Sequence, residues 1–115
     1  MREINFYRLE SGKSPVIDFL DSLDSKQAQK VAWVLSLFEE MPVVPKQYFK
    51  KLKNTDDIWE IRIIFSGNTF RLLGFLENAD SFIVTNGFAK KTQKTPQSEI
   101  TLAEDRKRNF YERKQ

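Results

Sequence analysis

The chain has 115 residues, 40% of them hydrophobic and 30% charged, which fits a single domain over 1–115. It contains neither cysteine nor histidine. That excludes Cys/His zinc sites, iron–sulfur clusters, disulfide scaffolds, thiol nucleophiles and any triad built on imidazole, and no metal or other cofactor is expected. The net charge of +3 is unevenly spread: residues 1–40 carry 5 basic and 7 acidic side chains, residues 41–115 carry 14 and 9. No apolar run approaches the roughly 18 residues that read as a membrane span, and Met1-Arg2-Glu3-Ile4 opens no signal peptide, so a cytoplasmic protein is expected.

From Arg2 to Glu10 the placing of Ile4, Phe6, Tyr7 and Leu9 predicts a strand, closed by a turn at Ser11-Gly12-Lys13. Ser14 before Pro15 is a helix start, with Val16, Ile17, Phe19, Leu20 and Leu23 on one face. Asp24 with Gln27 resembles a capping box for a second helix. Its stripe of Ala28, Val31, Leu35 and Phe38 stops before Met41-Pro42, so the two helices form a hairpin. The stretch from Pro42 to Asp57 reads as a basic loop anchored by Tyr48, Phe49 and Leu52. Ile58–Phe65, Thr69–Leu76 and Ser81–Phe88 are β-rich runs separated by turn residues, which predicts a three-stranded antiparallel meander. Thr95-Pro96 repeats the helix-start signal before a last helix over Glu99 to Lys114. The expected fold class is α+β, with the helices gathered on one face of a mostly antiparallel sheet.

Alternation in the first meander strand puts Trp59, Ile61, Ile63 and Phe65 on one side, and Glu60, Arg62 and Ile64 on the other. Arg71 on the next strand is placed to face Glu60 and Arg62. On residue types alone this is more simply a surface cross-strand charge cluster than a catalytic one.

Ile58-Trp59-Glu60-Ile61-Arg62, Phe70-Arg71, and the string from Asn86-Gly87-Phe88-Ala89-Lys90-Lys91 through Lys94-Thr95-Pro96 to Glu99-Ile100 and Ala103 together carry a family resemblance. The chain resembles the phage-derived RelE/HigB-type toxins of type II toxin–antitoxin pairs. The resemblance implies a RelE-like fold and a ribosome-dependent endoribonuclease that cuts mRNA without a metal. It also implies a small cognate antitoxin, often a helix-turn-helix protein. Asn86 stands where members of the family often carry histidine, and an amide cannot exchange protons as imidazole does.

RNA cleavage by the neighbouring 2′-hydroxyl needs a base, an acid for the leaving 5′-oxygen and cations around the phosphorane. A chain without histidine supplies these from Arg, Lys, Glu, Asp or Tyr, so charge stabilisation and orientation dominate. The expected catalytic set is Arg62 and Arg71 as phosphate clamps, Lys90 and Lys91 as candidate proton donors, and Glu60 as candidate base, although neighbouring arginines weaken a carboxylate as a base. Lys51, Lys53, Asn86, Phe88 and Lys94 are the expected RNA contacts, with Phe88 alternatively packing beneath the last helix and the 46–53 lysines alternatively a solvated loop. The rival function is an inactive RelE-like binding module acting through an antitoxin in operon repression. A third is a poison of DNA topology on the same fold.

Overall fold

The computed structural model describes residues 2–90, the last through its backbone alone, and 94–114. The first two of the three predicted helix starts are observed. The Ser14 hydroxyl accepts from the Ile17 N–H (3.2 Å), with Pro15 opening helix α1, Pro15–Asp21. Asp24 accepts from the Gln27 N–H (2.8 Å) while the Gln27 side chain accepts from the Asp24 N–H (3.1 Å), a reciprocal capping box for α2, Ser25–Glu40.

The strands, in chain order, are β1 (Glu3–Phe6), β2 (Phe49–Lys51), β3 (Trp59–Phe65), β4 (Asn68–Asn78) and β5 (Ser81–Lys90), and α3 (Gln97–Lys114) ends the chain. They form one mixed sheet in the order β1-β5-β4-β3-β2, with β1 parallel to β5 and the other pairs antiparallel. The meander is as predicted. Its first hairpin turns through Ser66 and Gly67, both at positive φ (51° and 79°), as the twist of a two-residue loop demands.

Two expectations are corrected. The 42–57 stretch is not all loop, because Phe49–Lys51 pairs with β3. A three-residue strand with two lysines has no readable alternation; it forms because Phe49 stacks on Trp59 (ring centroids 4.5 Å apart, 14° between planes) and packs on Phe38 and Phe82. Nor do the helices share one face. The α1–α2 hairpin, through Val16, Val31, Val34, Leu35 and Phe38, covers Ile61, Ile63, Leu72 and Val84. Helix α3 instead lies on the opposite face, where Ile100 and Ala103 meet Leu73 and Phe110 meets Phe75 and Ile83. The consecutive apolar pairs Leu72-Leu73, Phe75-Leu76 and Phe82-Ile83 are what burial of both faces requires of the central strands.

A bulge adjusts β5 beneath α3. Leu73 pairs with Asn86 but Gly74 pairs with Val84, so Thr85 is the extra residue. Its carbonyl is satisfied from α3 by Arg106 (2.8 Å), whose pKa burial lowers from the usual guanidinium value.

Candidate functional site

Sheet register brings three of the predicted residues onto the face that α3 partly covers. Arg62 and Arg71 are direct cross-strand partners, and Glu60, opposite Leu73, lies diagonal to Arg71. Two guanidinium groups side by side repel, and Glu60 resolves this by pairing with one of them. Arg71 Nη1 donates to Glu60 Oε1 at 2.8 Å, and the Thr95 hydroxyl donates to Glu60 Oε2 at 2.5 Å. Arg71 Nη1 also lies 3.5 Å from the Thr95 hydroxyl. Glu60 is 0% exposed and Arg71 2%, so this is a desolvated ion pair rather than the surface cluster that residue types alone suggest.

Thr95 is the point where the buried pair reaches the surface. With Lys50, Lys51, Leu52, Lys53, Lys94 and Ile100 it lines an open groove of about 310 Å³ between β2 and the start of α3. Lys51, Lys53 and Lys94 are therefore brought together. Lys50 and Thr95, absent from the expected set, join them. Lys50 belongs there because it sits opposite Glu60 on the neighbouring strand, a placement that follows only once β2 is known to be a strand. Thr95 signals a helix cap in sequence, but its hydroxyl serves Glu60, and the Pro96 carbonyl receives the N–H groups of Glu99 and Ile100 in the first turn of α3.

Within the groove Lys51 is ion-paired to Asp57 at 2.6 Å, and the hydrogen bond and charge of that ammonium hold the Asp57 carboxyl below its ordinary value. The 54–57 loop is tied to α3 as well: the Lys107 ammonium donates to the Asp56 carbonyl (2.7 Å), and Glu104 accepts from the Asp56 N–H (2.9 Å).

The remaining predicted residues lie elsewhere. Arg62 lines a separate cavity at the sheet edge with Lys30, Val34, Gln47, Tyr48 and Ile64. Asn86 is buried, accepting from the Thr85 hydroxyl (2.6 Å) and donating to Glu99 Oε1 (2.9 Å), so it fastens α3 to the sheet. Phe88 is half-buried against the Leu52, Ile58, Leu73 and Ala103 cluster beneath α3. The Lys90 side chain and Lys91 lie outside the described residues. Among the described residues no cluster of acidic side chains has the makings of a metal site.

A sheet with a helical hairpin on one face, a C-terminal helix on the other and a basic groove at that helix's start is the frame on which likeness to known proteins can be judged. The model of the family described as phage derived protein Gp49-like (DUF891) matches residues 18–108. The chain belongs to the Gp49-like family. A chain of the crystal structure of the archaeal RelE–RelB complex from Pyrococcus horikoshii OT3 superposes on this Gp49-like chain with a TM-score of 0.50 and 14% sequence identity, over 81% of this chain and 98% of that one. At that identity the likeness is one of fold, and the fold of this Gp49-like protein is RelE-like. Comparison with curated proteins finds no match.

Proposed function

We propose that this protein is the toxin of a type II toxin–antitoxin pair, a ribosome-dependent endoribonuclease that cleaves mRNA through the neighbouring 2′-hydroxyl. The observation that carries the reading is the groove: four lysines line it together with a threonine that is hydrogen-bonded to the buried Glu60–Arg71 pair. In cleavage of this kind the 2′-oxygen attacks phosphorus as its proton passes to solvent water, and the P–O5′ bond breaks as the 5′-oxygen takes up a proton, giving a 2′,3′-cyclic phosphate and a 5′-hydroxyl. Lys50, Lys51, Lys53 and Lys94 hold the phosphate and stabilise the phosphorane, a lysine ammonium supplies the leaving-group proton, and the ribosome orients the ribose. Lys90, the last residue of β5, and Lys91, next in sequence, belong to the same proposed set.

The roles of the other predicted residues change with their surroundings. Glu60 is fully buried and accepts two hydrogen bonds, so it acts with Arg71 by positioning Thr95 rather than as a base on the RNA. Asn86 and Phe88 act by seating α3. The partner is an antitoxin, a reading supported by the fact that the similar archaeal structure is a RelE–RelB complex. The site of action is the cytoplasmic ribosome, and no helix among the described residues is long and apolar enough to cross a membrane.

The sequestration of Glu60 and Arg71 favours one rival, the inactive binding module. Mapping of mRNA 5′ ends on translating ribosomes after brief induction separates the two. The toxin reading expects fresh cuts within the ribosomal A site, lost in a folded Lys53→Ala/Lys94→Ala double variant with a drop of about 100-fold or more in cleavage. Intact message on ribosomes that bind the protein sinks the nuclease and leaves the module.

A further inference from the structure

At the outer edge of the sheet, β2 is shorter than the strand it covers. Its residues pair with Trp59, Glu60 and Ile61, and one further bond runs from the Arg62 N–H to the Tyr48 carbonyl (2.8 Å). Beyond it, Ile63 to Phe65 have no neighbouring strand on their outer side among the described residues. Alternate residues of a strand turn their N–H and C=O to the same side, so Ile64, two beyond Arg62, presents both outwards. Elsewhere the sheet's edges are guarded by exposed polar side chains, Glu3 and Asn5 on β1, Lys50 and Lys51 on β2. The bare stub of β3 instead shows solvent an isoleucine, 57% exposed.

Two cavities flank this edge. That holding Arg62 and Ile64 has a volume of about 280 Å³, with Lys30 and Gln47 also in its wall. It shares Val34 and Tyr48 with a second cavity, of about 200 Å³, whose other walls are apolar, among them Leu37, Phe38, Met41 and Ile61. Trp33 and Val43, next in sequence to lining residues, are 51% and 77% exposed. Glu60 is committed to Arg71, and the Arg62 Nε lies buried with no hydrogen-bond partner among the described residues.

We propose that this edge is a peptide-docking site, taking an extended acidic segment of alternating apolar and carboxylate side chains that adds a strand to β3 at Ile64. Side chains of an added strand alternate between the sheet's faces. Those on the face of Ile61 and Ile63 enter the apolar cavity. Those on the face of Arg62 and Ile64 meet the guanidinium, and Lys30, on α2, lines the same cavity. Charge complementarity selects the acidic form, since a basic segment would set like charges against Arg62 and Lys30. A polynucleotide offers the arginine an acceptor but has neither apolar side chains for the second cavity nor a strand's paired N–H and C=O. The inference does not depend on the nuclease reading.

The test is titration of the full chain with a short acetylated peptide alternating valine and glutamate, beside an isomer with the same residues in two blocks. The alternating peptide should bind saturably, about tenfold or more tighter than the block isomer, and slow hydrogen exchange at the Ile64 amide. In Ile64→Asp, with folding checked by its thermal melt, affinity should fall about tenfold, and N-methylating the peptide's central valine should cost a similar factor with the protein unaltered. Equal binding of the two isomers, unchanged Ile64 exchange at saturation, or indifference to N-methylation would overturn the proposal. So would displacement of the peptide by oligoadenylate, which would give the edge to nucleic acid.

Discussion

Glu60 and Arg71 show how burial changes what a charged residue is for. Removing one partner strands the other's charge out of water, whereas replacing both removes the desolvation cost along with the attraction. Arg71→Ala should therefore cost about 3–5 kcal/mol and lower the melting temperature by roughly 10–20 °C. The double variant Glu60→Leu/Arg71→Met should melt within a few degrees of the parent. If Arg71→Ala melts like the parent, the pair contributes nothing to the fold and the arginine is held there for another purpose. Any growth assay on Arg71→Ala thus needs the melt beside it, since lost toxicity and lost fold look alike. At Asn86 the side chain joins Thr85 in the bulge to Glu99 on α3. Asn86→Ala removes the hydrogen bond to the Glu99 carboxylate, while the Thr85 hydroxyl keeps the Leu73 carbonyl (3.1 Å), and should cost about 1–3 kcal/mol by denaturant titration.

At the scale of elements, local signals are strongest where a single residue satisfies a backbone group. Ser14 and Asp24 cap their helices by contacts within three residues, so both starts were readable from the chain alone. β2 was not readable, because its stability comes from Trp59, Phe38 and Phe82, all distant in sequence. Two glycines separate local from tertiary demands. A Cβ on Gly67 meets nothing within 4 Å, and the cost of Gly67→Ala is only its φ of +79°, about 1–2 kcal/mol. A Cβ on Gly74 would lie 2.1 Å from the Ile83 carbonyl oxygen and 2.8 Å from the Phe82 ring. Since a paired strand backbone cannot give way, Gly74→Ala should cost about 3 kcal/mol, at the upper end of overpacking. Thermal melts of the two variants check the order, and it fails if Gly67→Ala is the less stable.

Over the whole molecule, charge and topology combine to make the groove. The cation excess of residues 41–115 was visible in the sequence, but nothing there said that Lys50, Lys51 and Lys53 would meet Lys94 across β2 and the start of α3. If single-stranded RNA runs through this groove, its affinity should fall steeply with salt. Lys53→Ala/Lys94→Ala should reduce the magnitude of the log K against log salt slope by about 1.4, the counterion release of two phosphate contacts. Fluorescence anisotropy of a labelled oligonucleotide across a salt series measures it, and an unchanged slope removes the groove from the binding path. Arg62 offers the contrast. Its guanidinium chemistry groups it with Arg71 as a phosphate clamp and the sheet pairs the two across strands, yet the fold turns one into a buried ion pair and leaves the other at an open sheet edge.

What the amino-acid order determined by itself is whatever depends on near neighbours: the helix starts, the hairpin turns, the alternation along β3 and the absence of thiol and imidazole chemistry. The tertiary structure alone decided which face α3 covers, that a three-residue strand completes the sheet, and that Glu60 and Arg71 are desolvated. Each of these depends on groups far apart in the chain. Their energies arise only when water is removed from between them, and no local pattern records that removal.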